Sequence, residues 1–170
     1  MPHIEKYPKN KKMNKTALLL LGCPEVSIQT GIALYLASRL KNAGMAVYVA
    51  GTDSALDLLK ISDPKGCYLD SEKLISLDTC IEALAEKRMD FDLCSVFVHN
   101  DAGLSYLATI RSISNAKLYA IIFGKDAEAL AGQIEFNCEK LVARAVHNPT
   151  PLKRKIDDTI KEVERWAVSN

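Results

Sequence analysis

The sequence predicts a three-layer α/β/α sandwich of Rossmann-like type, built on a mostly parallel, five-stranded sheet. Three observations carry that expectation. Short apolar runs alternate along the chain with segments of helical periodicity. Several of those runs lack polar alternation, as strands covered on both faces do. Polar clusters containing glycine or asparagine follow the runs, as turns from strand to helix do. At 170 residues, 48% of them apolar, the chain suits one domain with a real core.

Residues 1–15 are lysine-rich and contain Pro2 and Pro8, which predicts a flexible basic arm before a single domain over 16–170. Ala17–Leu21 is the first strand. With Gly22-Cys23 behind it and lysines ahead of it, it imitates a lipoprotein signal. It falls short of the about 7–15 apolar residues such a signal needs. A helix over 27–42 follows, with Ile28, Ile32, Leu36 and Leu40 on one stripe and Gly44 to end it. Ala46–Ala50 is the second strand, and Thr52-Asp53 caps a short helix that Asp63-Pro64 stops.

Residues 64–77 carry turn signals at Pro64, Gly66 and Asp70, and Leu74–Leu77 fits either a short strand or a packed loop. Asp78 is expected to cap a helix to about Lys87. Leu93–His99 is the third strand, followed by a helix from Ala102 to Ser114. Leu118–Phe123 is the most apolar strand, hence central, and Asp126 opens the next helix. Leu141–Val146 carries Arg144 and reads as a strand near a sheet edge. Pro149 and Pro151 precede a last helix over Leu152–Ala167.

In open α/β sheets ligands bind beyond the carboxyl ends of the strands, where the strand order reverses. With strand order 2-1-3-4-5, the first and third loops flank that point. The candidate binding residues are therefore Gly22, Pro24, Glu25 and Ser27 after the first strand, and Thr52 and Asp53 after the second. Asn100, Asp101 and Gly103 follow the third, and His147 and Asn148 the fifth. Cys23 lies just before a helix start, where partial positive charge favours a thiolate, and His99 is its candidate catalytic partner. Each also has a plainer role. Asp101 alone can cap a helix, Gly103 can ease packing, and Asn148 can shape a turn.

Composition excludes several classes. A formal net charge of +1 gives no field to gather nucleic acid or anionic membrane, and no run approaches the about 20 apolar residues of a membrane span. The five cysteines are scattered, and there are three histidines, so neither a disulfide framework nor a metal site is expected. No P-loop, dinucleotide fingerprint, nucleophile elbow or zincin motif occurs. The cofactor stays unknown.

Gly22-Cys23-Pro24-Glu25-Val26, Ile32–Leu36, Val98–Gly103 and Ala145–Pro149 resemble an archaeal family of conserved proteins of unknown function, found chiefly in methanogens. The resemblance covers roughly residues 15–166. It implies a cytoplasmic protein with a three-layer Rossmann-like fold, and it brings no activity, cofactor or catalytic residues. In fold alone the chain is also similar to small sulfur-relay proteins that use a rim cysteine. Three functions are consistent with these features. The leading one binds a small anionic or nucleotide-like ligand at the rim. The others are a thiol enzyme or sulfur carrier using Cys23, and a non-catalytic, homodimeric subunit or adaptor.

Overall fold

The computed structural model describes residues 14–169, so the expected basic arm lies almost wholly outside the described residues. Lys15, at its end, is held against the domain. Its Nζ donates to the Ser169 carbonyl at 3.2 Å and sits 5.2 Å from the centroid of the Trp166 ring.

The first strand, β1 (Thr16–Leu21), shows why its sequence is a bare apolar run. Ala17, Leu19 and Leu21 enter one core, while Leu18 and Leu20 enter a second core on the other side of the sheet. Neither face meets water, so no polar alternation is tolerated. Around it lie β2 (Ala46–Gly51), β3 (Leu74–Ser76), β4 (Leu93–Val98), β5 (Lys117–Ile122) and β6 (Glu139–Val142). All pairings are parallel, and the order is β3-β2-β1-β4-β5-β6. The sheet thus has six strands where the sequence suggested five. The extra member, β3, is a three-residue edge strand inside the ambiguous 64–77 segment. Removing it leaves the expected order.

The helices follow from that order. Crossovers of one hand place α1 (Ile28–Asn42) and α2 (Asp53–Ser62) on one face as the chain steps outward from β1. Stepping back the other way puts α3 (Leu77–Ala85), α4 (Asp101–Ile113) and α5 (Ala127–Gly132) on the opposite face. The final α6 (Thr150–Val168) returns to the first face, where Leu152, Ile156, Ile160 and Val163 are buried. Gly44, at φ +87, ends α1 as expected.

Several local expectations shift by a residue or more. Asn100, not Asp101, caps α4: its Oδ1 accepts the Gly103 N–H at 3.0 Å. Ser76, not Asp78, caps α3. Asp126 precedes α5 but makes no side-chain cap. The last strand ends at Val142, because Ala143–Ala145 folds into a tight turn (Ala145 N to Ala143 O, 2.8 Å).

The segment before β3 is organised by Asp63, whose carboxylate accepts the N–H groups of Cys67, Tyr68 and Leu69 at 2.8, 3.0 and 2.9 Å. At the amino end of the sheet, the β1–β4 seam is fastened by Asp92. Its Oδ2 accepts from Thr16 N at 2.7 Å, and Thr16 Oγ1 accepts from Asp92 N at 3.2 Å. Packing does not require Gly31, nor Gly132, the last residue of α5. Gly31 lies mid-α1, exposed, and an added Cβ would meet nothing within 4 Å. Glycine there costs about 0.5–1 kcal/mol relative to alanine.

Candidate functional site

The turn after β1 leads to α1 on one face, and the turn after β4 leads to α4 on the other. Adjacent strands whose connections diverge leave a crevice between them. Here Asn100 Nδ2 donates to Glu25 Oε2 across it, at 3.0 Å, and the same carboxylate oxygen stands 3.9 Å from His99 Nε2. The Cys-Pro-Glu and His-Asn-Asp turns are therefore brought together at one rim.

His99 is the central group. Its side chain is 3% exposed, and neither ring nitrogen has a hydrogen-bond partner. The ring lies against Phe123, 5.2 Å between centroids. Burial holds the imidazole below its ordinary value of 6.5, against the opposing pull of Glu25 and of the Cys23 carbonyl, which lies near without hydrogen-bonding geometry. The ring is neutral at pH 7, with one donor and one acceptor unsatisfied. Gln29, behind the same turn, donates through Nε2 to the Gly22 carbonyl at 2.9 Å and leaves Oε1 buried without a partner. Among the described residues, the unpaired buried side-chain polar atoms belong to these two residues, on either side of Gly22-Cys23.

A pH effect follows. A histidine with a folded value below the unfolded one weakens the fold as pH drops below about 6.5, because the unfolded chain takes up the proton first. The urea midpoint of the parent should therefore decline from pH 7 to pH 5 more steeply than that of His99→Gln. Equal slopes would mean the ring titrates normally.

Cys23 is exposed, and its thiol partner is not His99. Ser54 Oγ, from the turn after β2, donates to Cys23 Sγ at 3.6 Å and shares a 3.3 Å contact with Thr52 Oγ1. Thr52 is otherwise occupied as the α2 cap, accepting from Ala55 N. Asp53 and Asp101 are exposed first residues of α2 and α4. Gly22 is buried beside Tyr106, whose Cε2 would lie 3.5 Å from an added Cβ, and Pro24 is half-buried beyond it. Gly103 serves packing: its missing Cβ would stand 2.9 Å from Val98 Cα.

The fifth loop joins a neighbouring part of the rim. Ser27 Oγ donates to the Val146 carbonyl at 3.0 Å and lies 3.3 Å from His147 Nδ1. Asn148 Oδ1 accepts from Thr150 N at 3.1 Å, a turn contact. Ser54, Gln29 and Tyr106 were not singled out from sequence. Ser54 directly follows the candidate Asp53, whereas the other two sit on helices whose orientation only the fold supplies.

The crevice turns, Gly22–Ser27, Gly51–Ser54 and His99–Gly103, contain Glu25, Asp53 and Asp101 and no lysine or arginine. Among the described residues no three histidine, cysteine or acidic side chains are placed to share a metal ion. No helix among them is long and apolar enough to cross a membrane.

A family model described as a domain of unknown function, DUF1890, matches residues 18–159. The uncharacterized protein MJ0452 of Methanocaldococcus jannaschii is 31% identical over 150 residues, spanning 85% of this chain and 97% of that protein. The solved structure of MT0777 superposes with a TM-score of 0.80 at 40% identity, covering 86% of this chain and 97% of that one. These matches agree with the resemblance of the rim motifs to a conserved archaeal family of unknown function.

Proposed function

The chain belongs to the DUF1890 family, and from that premise we propose that it binds a small, donor-rich polar molecule in the crevice between the turns after β1 and β4. The observation that carries this reading is His99, buried with both ring nitrogens unpaired. An unsatisfied buried polar group costs about 1–3 kcal/mol, and a bound hydroxyl or amine removes that cost. Glu25 supplies an acceptor beside it, and Asn100 orients Glu25.

The charge around the crevice selects the class. Thr52 and Asn100 each engage one N-terminal N–H of α2 and α4. The charged side chains of the three crevice turns are acidic, with Lys125 following Gly124, which stands against His99. This favours a neutral or cationic ligand bearing hydroxyls or amines, such as a nucleoside or amino sugar. It disfavours the polyanion that helix starts alone suggest. Cys23 lines the entrance without a base at its thiol, so no covalent step is part of the reading. Five unpaired thiols fit a reducing compartment, and the reading places the protein in the cytoplasm.

The test uses His99→Leu. Replacing an unsatisfied imidazole by an apolar side chain against Phe123 should leave the unliganded fold as stable or more stable. The parent, in a thermal-shift panel of nucleosides, amino sugars and phosphorylated analogues, should show its largest rise with an unphosphorylated member. That rise corresponds to about 2.7 kcal/mol at a hundredfold excess over Kd, and it should vanish in His99→Leu. A His99→Leu protein that melts well below the parent would make the ring a structural element and end the proposal.

A further inference from the structure

We infer that the crevice takes its ligand by a primary ammonium group, held jointly by the Glu25 carboxylate and the His99 ring. This step rests on the crevice reading and narrows it from donor-rich molecules to primary amines.

The spacing sets the size of the bound group. His99 Nε2 and Glu25 Oε2 stand 3.9 Å apart, too far for a hydrogen bond between them. One nitrogen about 2.8 Å from each would see them about 90° apart, an angle that two N–H bonds of an ammonium tolerate. The two side chains can thus share a single ligand atom. The Cys23 carbonyl, also near the ring, accepts the Glu25 N–H at 2.9 Å and keeps one lone pair.

The balance of donors and acceptors sets the identity of that atom. Around it stand a carboxylate, a backbone carbonyl and, in the tautomer protonated at Nδ1, a ring lone pair at Nε2. An ammonium brings three donors and no acceptor, one donor for each of these groups. A hydroxyl brings one donor, and once that is given to Glu25 the Cys23 carbonyl has none.

Charge points the same way. Asn100 gives Glu25 a hydrogen bond but no charge, and among the described residues no lysine or arginine pairs with this carboxylate. Asp53 and Asp101 open α2 and α4 on the flanking turns, and Lys125, exposed on the turn after β5, pairs with neither. The ring nitrogens are buried, whereas the Glu25 side chain is 62% exposed, so the carboxylate is the group an arriving amine meets first. Asn100 stays anchored through its Oδ1 bond to Gly103 when Glu25 changes partner.

The test uses three probes that share a hydroxyethyl body, at constant ionic strength and about pH 7.5, where the ring is neutral and the amine charged. 2-Aminoethanol ends in an ammonium, ethylene glycol in a hydroxyl, and choline in a cation without N–H. In the full chain, isotope-labelled at histidine, 2-aminoethanol should shift the His99 ring resonances saturably and bind at least tenfold tighter than either other probe. Glu25→Gln keeps an acceptor for Asn100, so it should melt with the parent and lose that tenfold preference. Equal affinity for ethylene glycol overturns the ammonium reading and leaves the crevice reading standing. Equal affinity for choline overturns it as well, because charge without donors would then suffice. A preference retained in Glu25→Gln overturns it too, since the cation then sits elsewhere. A His99 ring undisturbed by all three probes overturns it outright, while the thermal-shift panel decides the crevice reading separately.

Discussion

Gly103→Val is expected to destabilise the fold by about 3 kcal/mol, lowering the melting temperature by about 6–12 °C. A Cβ at this position meets Val98 Cα at 2.9 Å and the Phe97 carbonyl at 3.1 Å, both main-chain atoms of β4. That strand is held between β1 and β5, so the strand cannot yield and α4 must lift. Valine adds two methyls and a stiff branch to the same clash. Gly103→Ala should lose less, about 1 kcal/mol, because better helix propensity offsets part of the overlap. Calorimetry and urea unfolding check both. Were this glycine present only to admit a ligand, both variants would keep the parent's stability and lose binding alone.

Asp63→Ala should cost about 2–4 kcal/mol, since it strands three backbone N–H donors, that of Leu69 fully buried. Burial pushes the Asp63 carboxyl up, but the N–H groups of Tyr68, Leu69 and Cys67 outweigh it and hold the group below its ordinary 3.8. A carboxylate with a lowered folded value contributes stability above 3.8, and that stability is lost as acid protonates it in the fold. The parent should thus lose stability below pH 3.8 by a step that Asp63→Asn lacks. Amide exchange should localise the damage: β3 hangs on this turn by a three-residue pairing, so Leu74–Ser76 exchanges fastest in the variant. A variant within about 0.5 kcal/mol of the parent would show that water replaces the carboxylate without loss.

The parts legible in the sequence are those where burial dictates composition. The leucines of β1 feed two cores, and the stripe Ile28, Ile32, Leu36 and Leu40 buries one side of α1. At the sheet edges that pressure fades. Strand β3 is three residues long and only half-buried, too brief for any periodicity, and β6 begins with the exposed Glu139 and Lys140. The Asn100 cap was one residue from its expected place because neighbouring Asn and Asp have the same capping chemistry. Convergence of the Cys23 and His99 turns followed from topology. The Cys23–Ser54 contact did not, because it depends on side-chain directions between turns 31 positions apart. That Thr52 and Asn100 each take one N–H of their helix starts was also illegible, since it depends on side-chain directions at the turns.

Thr16 and Asp92 fasten β1 to β4 at one end of a junction that is paired along its length. One end of that junction is locked by backbone and side chain together, while the other is spanned by the exposed Asn100–Glu25 bond. That outer crosslink is side chain to side chain and exposed, so an incoming polar group can exchange with it while β1 and β4 stay paired. The exchange is what would free the Glu25 carboxylate that stands 3.9 Å from His99 Nε2.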